Sequence, residues 1–377
     1  MIVGIDATDA VFDNTRRGDD MRQTLESLAT CHPHQQYMLY APSLGAHATQ
    51  LTGLLAHSNI HLKEPKRPPL LRNRWRSGKG ILYRAHRHHI EVFHGMGGFL
   101  PRGVKKMGIG AVATIDSTAF KHRPQDYSLL QRWRLDRRYR KTCKLADVVI
   151  VPSERAKRDV AQAYSVEEQR IKVVYPCCGN DYAIAPNAFD IERVCEKYKL
   201  PRHFLLLVAP LEQASNLELA IEALQYVQKR GVMLVMIGHR NDYYAKCKKR
   251  AQNAGVARHL HRISHVHDED LPIIYSLADA TLHTWHYPES ATSLLKSMTC
   301  GTPAIATSGG CMEEVGGNAA TYVAPDDPEA MGRAIDTVLG DERRRSEMAA
   351  RGREQARKFS AQRTADALND IYHQLRD

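Results

Sequence analysis

The sequence lacks the long apolar runs that would carry it across a membrane. No window approaches the roughly 20 consecutive apolar residues of a spanning helix, although 43% of the residues are hydrophobic and can form buried cores. The first six residues, MIVGID, predict a β-strand and not a signal peptide. The sequence therefore predicts a cytoplasmic protein that would contact a membrane only peripherally.

Metal-binding and redox cysteine motifs are also missing. The eight cysteines are scattered, and no two are spaced as C-x-x-C. Cys177 and Cys178 are adjacent, a spacing that rarely permits a relaxed disulfide and that we interpret as a turn of small residues. This pattern favours reduced thiols. Four histidines in residues 259–267 have metal-like spacing, but they straddle a helix end, a strand and a loop, so we predict no metal site.

Negative charge is scarce in two segments of this basic chain. The formal net charge is +11, with +8 in residues 62–89 and +7 in residues 121–144, so the rest of the chain carries −4. A basic surface confined to one half suggests an anionic partner such as a lipid headgroup or a lipid-linked diphosphate. A solvated basic face without a partner is an equal alternative. Nucleic-acid binding is disfavoured, because these segments contain few aromatic residues for base stacking.

The length of 377 residues suits two domains, and strands alternate with helices in both halves. This alternation predicts α/β domains with parallel, doubly wound sheets. A cluster of small residues and prolines predicts a linker near residues 180–200. The predicted strands are residues 2–5, 37–41, 92–94, 111–115, 148–151, 172–175, 204–208, 232–237, 279–282 and 304–306. The predicted helices are residues 20–30, 129–144, 155–163, 191–198, 216–229, 243–254 and 293–298, followed by terminal helices within residues 343–375.

Residues 278–320 organise the second half. A short strand is followed by a helix, a stop at the sequence CGTP, and another strand. The N-terminus of a helix that follows such a strand binds anions, because unpaired amides and the helix dipole point at the ligand. A nucleotide diphosphate would lie there.

This stretch resembles the donor-sugar segment of the family-four retaining glycosyltransferases. The resemblance extends over the whole chain and is strongest in residues 146–153 and 266–330. It implies the GT-B fold: two Rossmann-like domains facing across a cleft, with a C-terminal helix that crosses back to the first domain. The implied boundaries are residues 1–180 on the acceptor side, 181–355 on the nucleotide-sugar side, and 356–377 for the terminal helix. The matching residues are Ala278-Asp279-Ala280, Leu294-Leu295, Met298, Cys300-Gly301, Pro303 and Glu314-Val315.

The positions that carry the family's donor chemistry differ in the second half. Pro288 occupies the place of the family's first glutamate, with Glu289 one residue late, and Lys296 replaces the second. The arginine and lysine that clamp the donor diphosphate become Pro210 and Ser215. Each lost cation would have supplied charge-assisted hydrogen bonds worth roughly 1.5–3 kcal/mol.

The first half departs in the same way. The family's glycine-rich phosphate turn becomes residues 16–20, where only Gly18 keeps the conformational freedom of a turn. The family's T-x-H-D segment becomes Thr114-Ile115-Asp116, which lacks the histidine, and isoleucine cannot move a proton.

Two hypotheses follow from the resemblance. The preferred one is a non-catalytic or strongly altered member of the family that works through binding, for instance as partner to an active transferase in surface-glycan assembly. The alternative is an active retaining transferase that moves a sugar from a nucleotide-sugar donor to a glycan or a lipid-linked acceptor, without a metal. The alternative would use Glu289, Asp116 and His94 in catalysis, and Gly18, Ser215, Leu294, Lys296 and Glu314 around the donor.

Overall fold

The computed structural model describes residues 1–13, 16–42, 51–65, 76, 79–229, 231–288 and 290–376. The chain divides into two compact units. The first comprises Met1–Cys177 and Ala361–Asp377, and the second comprises Cys178–Ser360. Each unit is an α/β structure around a parallel sheet, as predicted.

The first unit contains a seven-stranded sheet in the order β3-β2-β1-β4-β5-β6-β7, in which all neighbours are parallel. The order reverses between β1 and β4, which makes the carboxyl ends of these two strands the topological switch point, where ligands bind in such sheets. The strands are β1 (Ile2–Asp6), β2 (Gln36–Tyr40), β3 (Ile60–Lys63), β4 (Val92–Gly95), β5 (Gly110–Thr114), β6 (Val148–Val151) and β7 (Ile171–Val173).

The helices of the first unit include one from the end of the chain, α16 (Ala361–Gln374), which packs against α2 (Arg16–Cys31). Its Tyr372 is fully buried in the first unit's core. The C-terminal helix therefore returns to the first unit, as the resemblance implied. The helices are α1 (Thr8–Phe12), α2 (Arg16–Cys31), α3 (Thr52–Leu55), α4 (Lys79–Arg87), α5 (Ala119–His122), α6 (Leu129–Leu145), α7 (Glu154–Tyr164) and α16 (Ala361–Gln374).

The second unit contains a six-stranded parallel sheet in the order β10-β9-β8-β11-β12-β13. Its order reverses between β8 and β11, so its switch point lies at their carboxyl ends. The strands are β8 (Phe204–Val208), β9 (Met233–Ile237), β10 (Leu260–Ile263), β11 (Ala280–His283), β12 (Ala304–Thr307) and β13 (Ala320–Val323). The helices are α8 (Ala188–Tyr198), α9 (Leu217–Ala223), α10 (Asp242–Asn253), α11 (Leu271–Leu277), α12 (Thr292–Cys300), α13 (Cys311–Gly316), α14 (Pro328–Gly340) and α15 (Glu342–Ala356).

Apolar runs explain why both sheets form. The four residues of β6, VVIV, and the five of β8, FLLLV, are nearly continuous hydrophobic segments, as expected of strands covered by helices on both faces. Buried clusters on the two faces of the first sheet and on the two faces of the second form the cores.

The linker range that we predicted near residues 180–200 contains a helix, as we predicted for residues 191–198. Helix α8 occupies most of that range and belongs to the second unit, where the buried carboxylate of Asp270 binds it. Arg193 Nη1 lies 2.8 Å and Lys197 Nζ 2.7 Å from its oxygens, and Tyr198 donates from 2.8 Å. Burial raises the pKa of Asp270, but these three donors lower it by more, to about 2. The charged residues Arg193 and Lys197 thus attach α8 to Asp270 within the second unit.

Candidate functional site

The carboxyl edge of the first sheet carries a network of ion pairs that we call the arginine–aspartate cluster: Asp6, Asp9, Arg17, Arg76 and Asp116. At its centre Arg76 is 4% exposed and Asp6 is 1% exposed. Arg76 donates from Nε to Asp6 Oδ2 at 2.6 Å, from Nη1 to Asp9 Oδ1 at 2.8 Å, and from Nη2 to Asp9 Oδ2 at 3.1 Å. One guanidinium therefore joins the end of β1 to α1.

Arg17 extends the cluster to the end of β5. Its Nη2 lies 3.2 Å from Asp9 Oδ2, and its Nε lies 3.0 Å from Asp116 Oδ2. Burial raises the pKa of Asp9, but Arg76 and Arg17 lower it by more, so this carboxylate stays ionised. Burial lowers the pKa of Arg17, and Asp116 and Asp9 raise it by more.

The surroundings of Arg76 are shaped to hold it. Its guanidinium carbon lies 4.1 Å from the centroid of the Phe99 ring, a cation–π geometry. A Cβ at Gly97 would lie 1.9 Å from Arg76 Nη2 and 2.3 Å from Asp9 Oδ2, so a larger residue there would displace this ion pair. The first-unit edge is thus filled by three aspartates and two arginines that pair with one another, and an anion placed there would compete with Asp9 and Asp116 for their arginines.

Gly18 lies in helix α2, which begins at Arg16, so the turn that we expected over residues 16–20 is wrong. A Cβ at Gly18 would lie 1.8 Å from the carbonyl oxygen of Asp13. Glycine is needed here because the helix passes close to the preceding backbone, and this contact accounts for the residue without a ligand.

His94, one of the predicted catalytic residues, is enclosed within the first unit. Its side chain has no exposure, its Nδ1 lies 2.7 Å from the Tyr372 hydroxyl, and its Nε2 lies 2.7 Å from the Thr114 hydroxyl. Both ring nitrogens are therefore occupied within the first unit, and burial lowers the pKa of His94 to about 3. This neutral, enclosed imidazole joins β4, β5 and α16. Asp116, by contrast, is half-exposed at the edge, although paired with Arg17.

The carboxyl edge of the second sheet is built from the loops that follow β8 and β11. Ser215 is fully buried, and its hydroxyl donates to the carbonyl oxygen of Glu212 at 2.7 Å. The Thr284 hydroxyl donates to the carbonyl oxygen of Ser215 at 2.7 Å. The backbone amide of His286 donates to the carbonyl oxygen of Ala214 at 3.2 Å. These bonds tie the two loops together and turn the Ser215 hydroxyl towards its own backbone.

Pro288 packs against the start of α13. A Cβ at Gly310 would lie 2.3 Å from Pro288 Cγ, and the amide of Cys311 donates to the Pro288 carbonyl at 3.4 Å. The residue at the position of the family's first glutamate is thus a buried packing group. Glu289 lies outside the described residues.

The side chains of two candidates on α12, Leu294 and Lys296, make contacts that the sequence did not predict. Leu294 is fully buried, and a Cβ at Gly316 would lie 2.9 Å from its Cδ2, so its side chain is part of the core. Lys296 is half-buried, and its Nζ lies 5.1 Å from the ring centroid of Tyr182. Its ammonium is therefore directed to an aromatic face. Glu314 is half-exposed in the short helix α13.

A buried polar network that we did not predict connects β11 to α12. His283 Nε2 lies 3.0 Å from the Thr281 hydroxyl and its Nδ1 3.1 Å from the Ser293 hydroxyl. Thr281 and Ser297 are 2.7 Å apart through their hydroxyls. Burial lowers the pKa of His283 to about 3, so the ring is neutral. The sequence signal was the alternation of Thr281 and His283 within an apolar strand, and the network fixes the start of α12 relative to the sheet.

Metal and disulfide chemistry find no support in the described parts of the chain. No group of three or more His, Cys, Asp or Glu side chains there could hold a metal ion. No disulfide joins any of the eight cysteines, all of which are described. Nor is any described helix long and apolar enough to cross a membrane.

Comparisons with known proteins agree with this architecture. Residues 33–178 match the model of Glycosyltransferase Family 4, and residues 190–358 match that of Glycosyl transferases group 1. The structure of Anabaena Alr3699/HepE in complex with UDP superposes with a TM-score of 0.76 at 16% identity, covering 99% of each chain. Two Rossmann-like units with a returning C-terminal helix, similar to such a protein over their full length, define a GT-B fold. The two family matches thus place one glycosyltransferase domain in each unit of the chain.

Two curated relatives come from Escherichia coli. O-antigen chain mannosyltransferase B is 24% identical over 276 residues, which cover 71% of this chain and 70% of the relative. Serotype-specific mannosyltransferase WbdA is 25% identical over 236 residues, covering 61% of this chain. The chain spans only 29% of the length of WbdA.

Proposed function

We propose that this chain acts in the assembly of a surface glycan by binding another protein, for instance as partner to an active transferase. Its own sugar-transfer activity is lost or strongly reduced. The relatives named for O-antigen and serotype-specific mannosyltransferases support the glycan context. The observation that carries the loss of transfer is Ser215. It replaces a donor-clamping cation of the family, and it is fully buried with its hydroxyl bonded to Glu212.

Other substituted positions support the same proposal. Pro288 packs on Gly310 and offers no carboxylate near the donor. Lys296 is directed to the ring of Tyr182. In the first unit, Ile115 has no exposed surface and cannot replace the family's histidine. Together these changes remove groups that would stabilise a leaving diphosphate, which is commonly the largest contribution to such catalysis.

The second candidate is an active retaining transferase that uses a nucleotide-sugar donor. The relatives are named as transferases, and the neighbour HepE binds UDP. The start of α12, fixed by the His283 network, also keeps a helix N-terminus at the switch point of the second sheet, which is where a diphosphate would bind. This candidate requires Glu289, Lys296 or Glu314 to act in place of the lost groups.

The experiment that separates the two candidates measures donor breakdown as well as binding. Purified protein is titrated calorimetrically with UDP-, GDP- and dTDP-sugars and with the free diphosphates. The same donors are then incubated with a bacterial lipid extract, and release of the nucleoside diphosphate is followed, with an active family-four transferase as positive control. Our proposal expects no release above background from protein shown to be folded. Release that depends on one donor and yields a glycosylated product would contradict it and establish the second candidate.

A variant that restores a donor-clamping cation tests by calorimetry whether its loss weakens diphosphate binding. Pro210→Arg restores one cation at the donor clamp, and we expect it to tighten diphosphate binding by roughly tenfold or more. The matched control is Lys248→Arg on the exposed face of α10, which keeps its charge and should leave binding unchanged. Lys296→Met should also leave binding unchanged, because its ammonium is directed to Tyr182. A loss of binding in that variant would instead assign Lys296 to the donor.

A further inference from the structure

Helix α6 of the first unit presents an unusual outer face. Its first two turns expose three large apolar side chains: Leu129 is 80% exposed, Leu130 is 54% exposed and Trp133 is 57% exposed. These three residues lie on one side of the helix because positions three and four apart share a face. Large apolar groups grouped on a surface mark an interaction site more often than isolated ones do.

The same face becomes basic along the rest of the helix. Arg134, Arg137, Lys141 and Lys144 follow at helical spacing and are exposed or half-exposed. Among the described residues, no carboxylate forms an ion pair with any of the four. The acidic residue of the helix, Asp136, is already paired with Lys121 and Arg140. Four like charges on one helical stripe repel one another, so the stripe is suited to an anionic partner.

Nearby cations add to this field. Burial lowers the pKa of Lys141, and the charges of Arg102 and Arg137 lower it further, which shows that these three groups lie close enough to repel. The guanidinium carbon of Arg137 is 5.3 Å from the ring centroid of Trp133. The apolar and the basic parts of the face are therefore continuous.

The face is held rigidly. Ser128 caps α6 and forms a capping box with Gln131, which fixes the first turn where the apolar groups lie. The opposite side of the helix is buried through Tyr139, Thr142 and Cys143. Because the inner side anchors the helix, its outer residues are exposed on a stable element and not on a fraying end.

We propose that the outer face of α6, comprising Leu129, Leu130, Trp133, Arg134, Arg137 and Lys141, docks the protein on an anionic lipid surface. A tryptophan and leucines next to several cations are the composition of helices that lie in the membrane interface. The apolar groups enter the headgroup region while the cations pair with lipid phosphates. A protein partner with an acidic, apolar groove would be a different class of ligand, and the test below separates it. The docking is independent of whether the chain transfers a sugar.

The test measures cosedimentation of the full chain with vesicles. We expect binding to vesicles of equal parts phosphatidylcholine and phosphatidylglycerol, and little binding to phosphatidylcholine alone. Arg134→Glu/Arg137→Glu/Lys141→Glu should lower the partition coefficient by at least about fivefold per replaced cation. Leu129→Ser/Leu130→Ser/Trp133→Ser should lower it as well, since apolar insertion contributes separately from charge. All six residues lie on the outer face, so circular dichroism should show both variants folded.

The matched control is helix α10 of the second unit. It exposes Lys246, Lys248 and Lys249 but no large apolar residue. Lys246→Glu/Lys248→Glu/Lys249→Glu makes the same change of net charge, so an equal loss of binding would show non-specific attraction and overturn the proposal. Phe189→Ser, at a residue 75% exposed in α8, is the apolar control and should leave binding unchanged.

Fluorescence gives a second measurement. Trp133 emission should shift to shorter wavelength with the anionic vesicles, and Trp133→Phe should bind while losing most of that shift. Failure of the wild-type chain to bind any vesicle would overturn the proposal and assign the face to a protein partner. That partner could then be sought by crosslinking from position 133.

Discussion

Arg76 forms a bidentate ion pair with Asp9, in which each terminal guanidinium nitrogen donates to one carboxylate oxygen, at 2.8 and 3.1 Å. This two-point contact fixes both planes and is stronger and more directional than a single ion pair. It also lies at the switch point of the first sheet, where a family member would present a phosphate-binding turn. The protein therefore supplies its own anions, Asp9 and Asp6, to the arginine found there.

Replacing Arg76 by methionine should destabilise the first unit by about 3–5 kcal/mol, because it leaves Asp6 buried without a counter-charge. Hydrogen exchange of the β1 and β4 amides measures the loss locally. The control is Arg376→Met. Arg376 pairs with Glu91 at 2.9 Å on the surface, and its removal should cost no more than about 1 kcal/mol. Equal losses in the two variants would contradict the buried cluster.

Alanine substitutions at two glycines of the first unit should have opposite effects. Gly18→Ala places a methyl group 1.8 Å from the Asp13 carbonyl oxygen, so we expect a loss of about 1–3 kcal/mol. Gly53 lies in helix α3 with no atom within 4 Å of an added Cβ, so Gly53→Ala should stabilise the protein by about 0.5–1 kcal/mol. Urea unfolding measured by pulse proteolysis reports both. A neutral Gly18→Ala variant would show that the start of α2 is placed differently.

Acidification should destabilise the first unit through His94. The folded pKa of about 3 is below the pKa of 6.5 for an ordinary histidine, so between these values the unfolded chain binds a proton that the folded chain does not. The stability contribution is therefore complete above pH 6.5 and is lost as the pH falls. Between pH 7 and pH 5 the loss should be about 2 kcal/mol.

His94→Gln should be less stable than the wild type at pH 7. Because it lacks the titrating imidazole, its loss of stability between pH 7 and pH 5 should be smaller by about 2 kcal/mol. Pulse proteolysis in urea at both pH values gives the change in unfolding free energy with pH for the wild type and for His94→Gln. The surface variant Lys246→Gln is the control. Identical slopes in the wild type and His94→Gln would show that His94 is not held neutral.

The strands were predictable because parallel strands covered on both faces leave continuous apolar runs. Residues 204–208 and 148–151 were predicted with the bounds that the structure has. Strand β3 was missed because its sequence, IHLK, is short and half polar. The helix predicted over residues 216–229 ends at Ala223, since periodicity alone does not show where packing against the sheet stops.

The candidate site was predictable as backbone and not as side-chain contacts. The strand–helix segment around α12 is present as expected, yet Leu294 is in the core and Lys296 is directed to Tyr182, 114 residues earlier in the chain. The arginine–aspartate cluster was missed because Asp6 and Arg76 are 70 residues apart and no local pattern connects them. Local sequence determines which residues form an element, and tertiary packing determines what their side chains contact.

The hydrogen bond between His94 and Tyr372 has a consequence for how the protein is made. A ribosome completes the strands of the first unit early but delivers α16 only after the whole second unit has been synthesised. Until then the nascent first unit has an open apolar groove and an imidazole with one nitrogen unbonded. The first unit can therefore close only after the second unit has been synthesised, and translation that stops before residue 361 would leave a product that chaperones and proteases can recognise.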